Sequence, residues 1–109
     1  MIPLTILQED FDRYFINYYC GKYDDIFIQC YNSQKNYKVA GYIDFYPDST
    51  KWDPGLVNGV IHLCYPKSHF NDIINIIRYE KPLSLIVDPQ NKYGYIATAI
   101  EPVGEQEGV

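Results

Sequence analysis

Apolar side chains recur at every second position through residues 25–32 (DIFIQCYN), 37–46 (YKVAGYIDFY) and 59–65 (GVIHLCY), and then the period changes. Phe70, Ile73, Ile74 and Ile77 follow the 3, 4, 7 spacing of an amphipathic helix. After Pro82 two short β-rich segments follow, 83–88 and 93–100, joined by the turn Pro89-Gln90-Asn91-Lys92. A chain that switches once from period two to period 3.6 and back folds in the α+β class.

The helix is predicted over 69–80. Ser68 can serve as its N-cap, Asp72 lies in its first turn, and Arg78 and Lys81 suit the negative end of its dipole. Pro82 stops it. Segments 25–32 and 37–46 read as a hairpin across the polar turn Ser33-Gln34-Lys35-Asn36. The stretch Pro47–Gly55 (PDSTKWDPG) reads as turn chemistry that ends the second strand.

Residues 6–20 admit two readings. Phe11, Tyr14, Phe15, Tyr18 and Tyr19 fit one helix face, and Thr5 with Gln8 could form a capping box. RYFINYY, however, is built from residues that favour strands, and it could be the first arm of a hairpin into 25–32. The expectation is a five- or six-stranded antiparallel sheet or small barrel with one helix. Its β-β-β-α-β-β order resembles that of an OB-fold, an analogy of fold that carries no function. Residues 1–100 are expected to form one globular domain, and 101–109 a mobile acidic tail.

Charge narrows the partners. The net charge is −5, but Glu101, Glu105 and Glu107 supply three of the 14 acids, leaving 11 against nine bases. A body so nearly balanced lacks the counterion-release drive of nucleic-acid binding, which disfavours that partner. The opening MIPLTILQEDFDRYF has no basic stretch ahead of an apolar one, so no secretory leader is expected, and no apolar run is long enough to suggest a membrane span. Cys20, Cys30 and Cys64 are too few and odd in number for a disulfide framework. A cytoplasmic location with free thiols is the expectation.

Residues that could carry chemistry each have a structural reading beside the functional one. His62 should project from the face opposite Ile61 and Leu63, where Asp44 of a neighbouring strand could meet it. That pair could serve acid–base work or be a surface histidine with its bonding partner. Cys30, His62, Cys64 and His69 lack the close ligand pairs of a structural zinc site, so no metal and no cofactor is expected. Cys64 two residues from His62 does not by itself make a nucleophile–base pair. The acids Asp24-Asp25, Asp48 and Asp53 lie at turns, where they commonly bond their own backbone. No catalytic residue is assigned, and the residues argue more for a non-enzyme than for an enzyme.

The remaining signal is aromatic: 12 tyrosines and five phenylalanines in 109 residues. Place Ile26/Ile28, Val39/Ile43/Phe45, Ile61/Leu63 and Leu83/Leu85/Val87 in the core. Phe27, Tyr31, Tyr42, Asp44, Tyr46 and His62 then share the outer face, with Trp52 in the loop beside it. Tyrosine suits interfaces because it joins a large ring to a polar tip, yet it also suits the wet face of any sheet. The expected function is a small non-catalytic interaction protein, an inhibitor or regulatory subunit of bacterial or phage type. Its partner would be another protein or a second copy. Single-stranded nucleic-acid binding through the aromatic face, and a small enzyme centred on His62, Asp44 and Cys64, are the alternatives.

Overall fold

The computed structural model describes residues 6–21 and 25–98, so the tail expected at 101–109 lies outside the described residues. Its strands are β1 (Leu7–Phe11), β2 (Arg13–Tyr18), β3 (Ile26–Asn32), β4 (Lys38–Tyr46), β5 (Gly55–Val57), β6 (Val60–Pro66), β7 (Leu83–Asp88) and β8 (Tyr93–Thr98). Helix α1 (Phe70–Tyr79) lies between β6 and β7. The class is α+β, with strands in two sheets ordered β1-β7-β8 and β2-β3-β4-β6-β5.

This count and order differ from the single antiparallel sheet or barrel expected above. β4 and β6 run parallel, from Gly41 beside Ile61 to Tyr46 beside Pro66. The cause is β5, which the turn-rich sequence hides. The loop after Tyr46 carries the chain past the β6 position to the sheet edge, where Gly55–Val57 forms a short strand. Asn58 (φ 52°) and Gly59 (φ 79°) then reverse it into β6. Positive φ at both central residues is what a type I′ hairpin turn requires, and Asn-Gly is its commonest sequence.

Residues 6–20 hold two strands, β1 and β2, which belong to different sheets. β1 pairs antiparallel with β7, Leu7 opposite Val87, while β2 pairs antiparallel with β3, Arg13 opposite Tyr31. Only Asp12 separates them. Its N–H donates to the Tyr31 carbonyl at 3.0 Å. Its carboxylate accepts the Ser33 N–H at 2.8 Å and the Ser33 hydroxyl. These bonds, the hydroxyl's first, hold the Asp12 carboxyl below its usual 3.8.

The inner faces of the two sheets meet in a core of Ile28, Cys30, Ile43, Phe45, Ile61, Leu63, Leu85 and Val87, with Ile73, Ile74 and Ile77 of α1 added to it. Val39 is not on the expected face. The β3–β4 register shifts after Cys30, which pairs with Gly41 while Tyr31 pairs with Val39. Ala40 is the extra residue of that bulge; it turns inward and is buried, leaving Val39 only partly so. Two glycines set how closely the layers approach. A Cβ on Gly41 would lie 2.6 Å from Leu85 Cδ1 and 2.7 Å from the Ile61 carbonyl oxygen. One on Gly94 would lie 2.5 Å from Leu63 Cδ2 and 2.8 Å from the Ile86 oxygen.

Ser68 does not cap α1 as expected. A 3-10 turn over Lys67–His69 precedes the helix, and the cap residue of α1, His69, makes no side-chain capping bond. Ser68 instead donates its N–H to Asp48 Oδ1 at 3.1 Å, tying the loop after β4 to the helix entrance. Bonds from Ser68, side chain first and then backbone, hold the Asp48 carboxyl below its usual 3.8. Among the described residues no helix is long and apolar enough to cross a membrane.

Candidate functional site

The inner face of the five-stranded sheet is consumed by the core, so its outer face is the surface that remains. Register places its residues in rows. Phe15 lies beside Gln29, Gln29 beside Tyr42, Tyr42 beside His62, and His62 beside Gly55. One row along, Asn17, Phe27, Asp44 and Cys64 are neighbours in the same sense. Period two in each strand produces this, because residues directly opposite share a face.

Five of the seven expected face residues are partly buried members of this surface: Phe27, Tyr31, Tyr42, Asp44 and His62. Trp52, in the loop after β4, is exposed, its ring centroid 5.6 Å from that of Tyr46. Tyr46 is the exception. It points outward from β4 but is only 8% exposed, and it stays outside the core cluster. The expectation of an open Tyr46 ring is corrected, because the following loop brings Trp52 back over it.

The face is tied together by rings and amides. The Tyr42 and His62 rings stack at 4.8 Å, 22° apart, and Phe15 stacks on Tyr31 at 5.7 Å. Phe27 sits 6.4 Å from Tyr42 and 5.8 Å from Tyr19. Asn17 Nδ2 donates to Gln29 Oε1 at 3.2 Å, and Gln29 Nε2 donates to the Tyr42 hydroxyl at 3.3 Å. His62 Nδ1 lies 2.6 Å from Asp44 Oδ2, so the two residues singled out in the sequence do meet. Sequence reasoning missed Phe15, Asn17 and Gln29, since they join the face only once residues 13–18 are known to be a strand beside β3.

Two of the three thiols, Cys30 and Cys64, are held away from reactivity. Cys64 Sγ lies 3.5 Å from the Asp53 carbonyl oxygen; desolvation, then the Asp44 and Asp53 carboxylates, push it up to about 11. Cys30 faces the core, and burial pushes it up to about 12. The His62 ring nitrogen that approaches a partner approaches Asp44. Cys30, on the opposite face, is not brought together with His62 and Cys64, and among the described residues no group of three or more His, Cys, Asp or Glu could hold a metal ion. A separate cleft of about 590 Å³ lies between β1, β2 and the end of α1, and none of the expected site residues lines it.

No family model, curated protein or solved structure matches the chain.

Proposed function

We propose that the chain is a small non-catalytic binding module that engages a protein partner through the outer face of its five-stranded sheet. The observation that carries this reading is the pre-ordered array Phe15–Tyr31, Phe27–Tyr42–His62 and Tyr46–Trp52. Rings that already hold one another lose little freedom on binding, and a rigid surface of large rings with polar tips is the composition that interfaces favour. Asp44 in the middle of the array repels phosphate, which favours a protein over a nucleic acid as the partner.

The test is to capture partners on the immobilised chain and compare three substitutions. Tyr42→Ala and Trp52→Ala should each weaken capture at least tenfold with little change in thermal midpoint. Tyr79→Ala, on the exposed side of α1, should leave capture intact. Equal capture by all three variants would dismiss the reading.

The His62–Asp44 contact favours one second reading, a small enzyme in which the pair works as acid and base on a substrate lying over Tyr42. The raised Cys64 thiol argues against a thiolate nucleophile in it. Protection of His62 alone from diethyl pyrocarbonate by a bound small molecule would support this reading; uniform modification at solvent rates would count against it.

A further inference from the structure

The four outer strands of the two sheets are not equally guarded. β5 has three residues, too short to template another strand. β1 carries Glu9 and Asp10, and pairing it with its own copy would bring like charges together. β8 is interrupted by Gly94, which weakens a strand as a template. β2 has none of these defences. RYFINY runs six residues without a proline, lysine or acid, and Phe15 and Tyr18 are 45% and 65% exposed.

The hydrogen-bond pattern shows which backbone groups of β2 are open. Tyr19 N–H donates to the Asp25 carbonyl at 2.9 Å, in register with Arg13 opposite Tyr31. In an antiparallel ladder bonded residues alternate, so Phe15 and Asn17 turn their N–H and C=O toward β3. Tyr14, Ile16 and Tyr18 therefore turn theirs toward the free edge. Their side chains are on the inner face, and those of Phe15 and Asn17 on the outer.

We infer that β2 is a self-pairing edge, and that its occupant is β2 of a second copy of this chain. A two-fold axis at Ile16 sets Ile16 opposite Ile16, Tyr14 opposite Tyr18 and Phe15 opposite Asn17. Every residue then meets one from the same face, which a one-residue slip would destroy. The three bonded pairs exchange two hydrogen bonds each, about six in all. Arg13 falls outside the paired stretch, so no like charges oppose. The result is one sheet running through both copies. This goes beyond the outer-face reading and does not depend on it.

Sedimentation of the wild-type chain over roughly 1 to 300 µM tests it. The mass should rise from 12.7 kDa toward twice that value. Phe15→Glu combined with Asn17→Glu, and Phe15→Lys combined with Asn17→Lys, each set like charges directly opposite and should each stay monomeric, and an equimolar mixture should regain the dimer. Tyr42→Ala should dimerise normally, which separates this edge from the binding face. Amide exchange on the wild type is independent of any variant's folding. With about nine-tenths of the chain paired, Tyr14, Ile16 and Tyr18 should slow about tenfold, while Phe15 and Asn17, already bonded to β3, barely change. A wild-type mass fixed at 12.7 kDa would overturn the inference. So would a dimer that survives both charged variants, or one that Tyr95→Glu on the β8 edge dissolves instead.

Discussion

Gly41→Ala adds one methyl group where the structure has no room for it. The new Cβ would stand 2.6 Å from Leu85 Cδ1 and 2.7 Å from the Ile61 carbonyl oxygen. Leu85 is fully buried, so its side chain has little space into which to retreat, and the Ile61 oxygen belongs to the parallel neighbour strand. Overpacking a close-packed core costs about 1–3 kcal/mol, and a backbone clash belongs in the upper part of that range. Against it, replacing glycine stiffens the unfolded chain and returns about 0.4–1 kcal/mol where φ is compatible. Gly41 is not among the residues with positive φ, so the gain applies. The net expectation is a loss of about 1–2.5 kcal/mol, or roughly 5–15 °C in Tm for a chain of this size. Urea unfolding followed by circular dichroism should show the midpoint falling by on the order of 1 M. Gly55→Ala is the internal control: a Cβ there meets nothing within 4 Å, so it should be neutral or slightly stabilising. In a double-mutant cycle, Leu85→Ala alone should cost about 2–5 kcal/mol, and combined with Gly41→Ala less than the sum, because the removed leucine atoms make space for the added methyl. If Gly41→Ala unfolds no earlier than Gly55→Ala, the close approach of the two layers at this point is refuted.

Three further outcomes follow from the same structure. Asp12 and Asp48 both lie below 3.8 in the fold, so the stability they lend is complete above pH 3.8 and is lost as pH falls through their lower folded values. Asp12→Asn and Asp48→Asn should each flatten the acid limb of a Tm-against-pH curve; a limb as steep as wild type in both would contradict the Ser33 and Ser68 bonds. Labelling the native chain with iodoacetamide at pH 8 should modify exposed Cys20 first, since a thiol pushed up to about 11 has only about one thiolate in a thousand at that pH. Peptide mapping should find Cys30 labelled only after unfolding, and early labelling of Cys30 would sink the assignment of its side chain to the core. Gly59→Ala, at φ 79°, should cost about 1 kcal/mol in urea titration, and an unchanged midpoint would exclude the positive-φ turn between β5 and β6.

The period-two segments and the helix were readable because one face of each is committed to the core. Ile26, Ile28, Ile43, Phe45, Ile61, Leu63, Leu83, Leu85 and Val87 are all buried as their spacing implies. The His62–Asp44 meeting was readable too, because both stand opposite core residues on strands that turn out to be neighbours. Sheet partnership was not readable. A strand's pattern says which face is buried but not which edge it shares, so nothing in residues 37–46 or 59–65 announces a parallel pair. β5 escaped because three residues are too few to show a period, although Asn58-Gly59 carried the hairpin signal. Tyr46 was misplaced because alternation describes a strand and its faces, and the ring that covers Tyr46 comes from a loop.

Every strand of the larger sheet lies between Arg13 and Pro66, ahead of the helix, so that sheet can form from one continuous stretch of chain. β1 cannot complete its pairing in the same way: its mate, Leu83–Asp88, comes only after the whole larger sheet and α1 have been laid down. During synthesis it leaves the ribosome before β2 and finds its ladder after α1, a contact of long sequence separation that is slow to close. Throughout that wait its backbone is an open template for other chains. Glu9 and Asp10 look like ordinary surface charge in the finished fold. In the unfinished one they are the chaperones that the strand carries with it.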